Sequence, residues 1–250
     1  MWGYLKQYLP PGPYTKTNLG LALLPVLIAL VLLIIENYGL QDAFIRDYGA
    51  QLSEKGFDSN DIRFFAQVNF SSFCVILLVA VPVLFHFAFP SQLNNPFGFS
   101  IKHCGPHWPV YGLLLLIMIP VAWIASGYPG FHEFYPMYKP VSIGMWVLYE
   151  AVYMTQFFCV EFFFRGIALF RLEARFGYHA VTMMMVPYAL FHIHKPFPEA
   201  LASIVAGLVL GLLALKSRSI WPGVLVHCGV AYSMDLFALI RSGRLALLFA

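Results

Sequence analysis

Charge is what this chain has least of. Asp, Glu, Lys and Arg make up 11% of its 250 residues, where soluble domains carry about 25%. A globule in water needs a polar coat, so a soluble fold is excluded. The formal net charge is only +3 and no run of Lys and Arg forms a patch, which leaves nucleic-acid binding without electrostatic support. Cysteine is scarce as well. Cys74, Cys104, Cys159 and Cys228 never stand in C-x-x-C spacing, so a disulfide framework or zinc ribbon is not expected and they read as small apolar packers. No internal repeat, low-complexity tail or second domain is visible, and residues 1–250 read as a single membrane domain. The stretch Met1 to Asn18, with Pro10, Pro11 and Pro13, lacks the form of a cleavable signal. The first apolar segment is therefore expected to be kept as a helix.

What the chain has is apolar length. Hydrophobic residues make up 60% of it, and mean hydropathy is +0.73. The expected fold is all-α, a polytopic bundle of about seven transmembrane helices with the lipid bilayer as its solvent, in the plasma (inner) membrane. The segments run near Leu19–Ile35, Phe64–Phe89, Val110–Ala125, Val141–Arg165, Ala180–His192, Glu199–Leu215 and Ile220–Ile240. Pro25, Pro82, Pro120 and Pro187 fall within them, which neighbouring helices can accommodate. The fifth segment is short for a span of about 20 residues. Between the first two segments lies the longest polar connection, Glu36 to Arg63, with a short helix expected over Gln41–Leu52. Gly207 and Gly211 form a G-x-x-x-G face that lets another helix approach closely. Lys and Arg divide eight to seven in favour of the N-terminus inside.

Six ionisable residues of the last four segments stand out. Glu161 and Arg165 are four apart and pair on one helix face; a lone charge there is costly and usually faces a protein interior or a water-filled cavity. Glu150 points the same way as Glu161 from the other end of the segment and reads as interfacial. His192 ends the fifth segment, and His227 and Asp235 share a face of the seventh. His103 and His107 read as plain loop residues. A carboxylate with imidazoles is what water-activating hydrolysis needs. Glu161, His192 and His227 also suit a divalent metal such as Zn2+ with one open position. The alternative is that each histidine is a separate hydrogen-bonded core residue.

Residues 150 to 240, within a motif-bearing core at 141–240, resemble the CAAX protease and bacteriocin-processing family of intramembrane proteases (CPBP, also called Abi). Its motifs are E-E-x-x-x-R, F-x-x-x-H and H-x-x-x-N on successive membrane helices. Here they read Val160-Glu161-Phe162-Phe163-Phe164-Arg165, then Tyr188-Ala189-Leu190-Phe191-His192, then His227-Cys228-Gly229-Val230-Ala231. The resemblance implies an intramembrane endopeptidase of the CAAX-processing type, acting on a lipidated or membrane-bound protein. Glu161, Arg165, His192 and His227 are its expected catalytic residues, with Glu161 as base, Arg165 orienting it, and the histidines holding water or metal. Val160 stands in place of the family's first glutamate and Ala231 in place of its asparagine. His194, Lys195, Glu199 and Asp235 are candidates to make up the difference. Two other functions stay open: a peptide- or partner-binding scaffold of the immunity type, and a transporter relaying protons through Glu150, Glu161 and Asp235.

Overall fold

The computed structural model describes residues 15–128 and 130–249; most of the proline-rich start read as no cleavable signal lies outside them. Among the described residues there are helices and turns and no strands. Helix α1 (Lys16–Ile34) starts where the Thr15 hydroxyl accepts from the Asn18 N–H at 3.1 Å. It runs through a π-helical turn, Ile35–Gly39, towards α2 (Gln41–Glu54), the short helix expected in the polar connection. Helix α3 (Ser59–Cys74) opens on a capping box: Asp58 accepts from the Asn60 and Asp61 N–H groups at 2.8 Å, and Asp61 accepts from the Asp58 N–H, so orphan amides are met at both positions. A π-helical stretch, Val75–Ala80, joins it to α4 (Val81–Ala88), with Pro82 in the first turn of α4. Helix α5 is Trp108–Ala125.

Helix α6 (Ile143–Glu161), capped by Ser142, passes into a π-helical segment, Phe162–Ala168, and then into α7 (Leu169–Phe176). Next come α8 (His179–Leu190), α9 (Phe197–Ser217) and α10 (Trp221–Arg241). Six helical stretches among the described residues are long and apolar enough to cross a membrane. The seventh apolar helix, α8, has 12 residues, a length of about 18 Å against a hydrocarbon core of about 30 Å. The protein is a polytopic helical membrane bundle.

Its outside is apolar. Leu30 and Leu33 on α1 and Leu113, Leu116 and Ile124 on α5 are all more than half exposed, as side chains facing lipid must be. Inside, α6 lies between α3 and α10. The G-x-x-x-G face of α9 meets α8: a Cβ on Gly207 would lie 2.9 Å from Met185 Cγ and 3.1 Å from Tyr188 Cδ1, and one on Gly211 would lie 2.9 Å from Val181 Cγ1. Gly166 does the same for the α4–α5 connection, where a Cβ would stand 2.8 Å from the Phe97 carbonyl oxygen. That connection is tied down by Ile220 N–H donating to Gly98 O at 2.9 Å. His103 and His107 lie in it and line no part of the cavity described next.

Candidate active site

The junction of α6 with the π-helical segment carries a buried ion pair. Arg165 Nη1 donates to Glu161 Oε1 at 2.9 Å, and both side chains are wholly inaccessible. Taking two charges out of water costs several kcal/mol each, so such a pair needs good geometry to persist. Part of that geometry comes from α8: the Arg165 guanidinium lies 3.8 Å from the centre of the Tyr188 ring, a cation–π contact. Tyr188 is in turn where the Gly207 face of α9 lets it be. From α10, His227 Nδ1 lies 3.1 Å from the same Glu161 Oε1. A carboxylate here accepts, so Nδ1 carries the proton and Nε2 is the free acceptor. Glu161 Oε2 has no hydrogen-bond partner among the described residues and rests against Gly223, where a Cβ would come within 2.8 Å. The expected pairing thus extends to a chain Arg165–Glu161–His227 across two helices.

His192 stands in the turn that follows α8, with its Nδ1 2.9 Å from the Tyr188 carbonyl oxygen. A carbonyl only accepts, so this imidazole too is left with Nε2 free. Rings brace both: Phe157 centres 4.6 Å from His227, and Tyr188 4.6 Å from His192. Both histidines line one cavity of about 420 Å³, together with Gln156, Phe157, Val160, Arg63 and Lys195. Val160, where the resembled motif has its first glutamate, looks into this cavity. Glu161 does not line it. Its carboxylate lies behind His227 and reaches the cavity through that imidazole, a different placing from a base acting on water directly. The reason is helical: residue 161 is turned about 100° from residue 160.

The other candidates separate. His194 lines the cavity, with Nε2 2.7 Å from Glu36 Oε1. Lys195 also lines it, with Nζ 3.2 Å from Tyr135 Oη. Tyr135 Oη donates to Glu199; burial, with Glu199 beside it, pushes this phenol well above its ordinary value and keeps it a donor. Asp235 is fully buried away from the cavity lining. Glu150, read as interfacial, is instead 7% exposed inside the bundle, close enough to Asp235 for the two to interact electrostatically. None of the four carboxyl oxygens of this pair has a hydrogen-bond partner among the described residues. Ala231 packs among Tyr138, Tyr149, Tyr153 and Phe157.

The zinc expectation meets a donor set that is only partly open. Glu161 Oε1 is shared by Arg165 and His227, and each histidine has committed Nδ1. Among the described residues no group of three or more His, Cys, Asp or Glu stands where it could hold a metal ion. Two histidines with Nε2 open to the cavity are fewer donors than a zinc site uses, and no step below passes through a metal.

One family model matches the chain: type II CAAX prenyl endopeptidase Rce1-like, over residues 142–233. No curated protein and no solved structure matches. The matched stretch runs from the start of α6 into α10 and contains all three motifs, in agreement with the resemblance drawn from them.

Proposed function

With residues 142–233 matching the Rce1-like family, we propose that this chain is an intramembrane endopeptidase of the CAAX-processing type, which hydrolyses a peptide bond in a lipidated or membrane-bound protein. One observation carries the reading: two imidazoles, one from the turn after α8 and one from α10, line a single cavity, each with Nδ1 bound to an acceptor and Nε2 left for water. In this reaction His227 Nε2 takes a proton from water while the water oxygen adds to the peptide carbonyl carbon. Collapse breaks the C–N bond, and the proton passes from His227 to the leaving amine. Glu161 holds the His227 tautomer and faces the imidazolium as it forms. Arg165 pairs with Glu161 and holds its carboxyl group in place behind His227. His192 orients the water from the other wall. Val160 lines the cavity where a carboxylate would otherwise act, which hands the base role to His227.

The test is proteolysis by the purified protein in liposomes, on a panel of prenylated CAAX peptides and unmodified membrane-proximal peptides. The expected result is cleavage of a panel member by the wild type and its loss, by about 10²-fold or more, in both His192→Ala and Glu161→Gln. Full turnover in either variant would sink this assignment of roles. No cleavage across the panel would turn the reading to a protein that binds its partner without cutting it.

A further inference from the structure

We infer that the side-chain amide of Gln156 is a further catalytic residue of this site, donating an N–H hydrogen bond to the carbonyl oxygen of the scissile peptide bond and to the oxyanion formed there. The inference rests on the hydrolase reading above.

Gln156 stands on α6 one turn before Val160, so the two share the helix face turned to the cavity. It lines that cavity with His192 and His227. It is 5% exposed, and among the described residues its amide has no hydrogen-bond partner. The polar side chains of the neighbouring face of α3 are, by contrast, partnered: Gln67 by Gln41 and Ser71, and Ser71 by the Val152 carbonyl. The Gln156 amide is not one of the enclosed unpartnered groups of the bundle; it opens onto the cavity it lines. A group that enters the cavity can therefore take up this donor, and a carbonyl oxygen is the acceptor a peptide offers.

The chemistry favours a donor at this point. When the water oxygen adds to the carbonyl carbon, its proton goes to His227 Nε2 and the carbonyl π pair moves onto oxygen. An N–H aimed there binds the resulting oxyanion more strongly than the neutral carbonyl, and that difference accelerates the step. When the C=O bond re-forms, the C–N bond breaks and the amine leaves with the proton from His227. Nothing is oxidised or reduced. Ala231, where the resembled motif has its amide, offers no donor, and it lies within an aromatic cluster instead. Gln156 supplies an amide from α6.

The experiment compares wild type with Gln156→Leu, close in volume, and Gln156→Met in liposomes. The probes are a fluorogenic farnesylated CAAX peptide, and a peptide aldehyde beside its matching peptide alcohol. In both variants kcat should fall by about 10²-fold or more, the usual loss for one oxyanion donor, while KM changes by less than about threefold. The aldehyde, which hydrates to a tetrahedral species, should bind wild type at least about tenfold tighter than the alcohol, and the variants should lose that preference. Thermal unfolding monitors the fold, and a variant with native unfolding but full kcat overturns the inference alone. A rise in KM with kcat kept also overturns it, since that marks a ground-state contact. A wild type that cleaves no probe and does not prefer the aldehyde removes the hydrolase reading, and this inference with it.

Discussion

Gly223 decides where the Glu161 carboxylate can sit. A methyl group there would lie 2.8 Å from Oε2, closer than real Cβ contacts allow. The carboxylate cannot swing aside without loss, because its Oε1 holds Arg165 at 2.9 Å and His227 at 3.1 Å. Gly223→Ala should therefore leave the bundle folded while displacing the carboxylate from His227. A misplacement of about 1 Å costs on the order of 10²-fold in rate. The expected outcome is a loss of that size in kcat with near-native thermal unfolding; unchanged kcat would show that the carboxylate does not act through His227. At this scale the sequence was readable where spacing sets contact. The four-residue interval placed Arg165 on Glu161, and the motif order pointed to His192 and His227. Glu150 was not readable, because a carboxylate near a helix end looks the same whether it faces headgroups or, as here, the bundle interior. Gln156 carried no signal at all: one amide in an apolar run belongs to no motif, and only the cavity around it gives it meaning.

Among the elements, α8 is the least self-sufficient. It is too short to cross the bilayer and is held by what packs on it, chiefly the glycine face of α9. Its C-terminal half supplies Tyr188 to the Arg165 guanidinium, and the turn directly after it supplies His192 to the cavity. Its position is thus transmitted directly to both walls of the site. Gly207→Leu would force side-chain atoms into Met185 and Tyr188, already 2.9 and 3.1 Å from where a Cβ would be. Overpacking of this kind typically costs about 1–3 kcal/mol. The prediction is a lower unfolding temperature in detergent and reduced cleavage together, whereas Gly223→Ala separates the two. A variant that unfolds at the wild-type temperature would mean that α8 is positioned by other contacts. The spans and the shortness of α8 follow from hydropathy and were legible. The π-helical segment Phe162–Ala168 was not. There the Leu169 N–H reaches back to the Phe164 carbonyl, and that extra residue in the turn leaves no mark on the apolar pattern. Such turns recur at functional sites, and this one begins immediately after Glu161.

At the scale of the whole molecule, the cavity opens at one end of the bundle. Its rim comes from four separate places: Leu40 to Asp42 after α1, Arg63 near the start of α3, Gly130, Phe134 and Met137 between α5 and α6, and His194 and Lys195 between α8 and α9. The opposite end is closed by other contacts, among them Thr17 Oγ1 donating to Pro90 O at 3.1 Å and Asn95 Nδ2 donating to Arg218 O at 2.8 Å. Lys16 and Lys216 are exposed at that end, and Asp42 and Arg63 at the cavity end. Single cysteines at these four positions should thus label in two pairs when sealed liposomes meet a membrane-impermeant maleimide. Asp42→Cys and Arg63→Cys should react from one side, and Lys16→Cys and Lys216→Cys from the other. Native thiols add little background, since Cys74, Cys104 and Cys159 are buried and Cys228 is half-buried. All four positions reacting from one side would refute the alternation of spans on which the cavity depends. With the two pairs established, the side that labels Arg63 is the side from which water and the polar part of a substrate reach His192 and His227. If the N-terminus lies inside, as the eight-to-seven division of Lys and Arg favours, that side is the outer one. A peptide presented only on the inner face should then be left uncut, even by fully active protein.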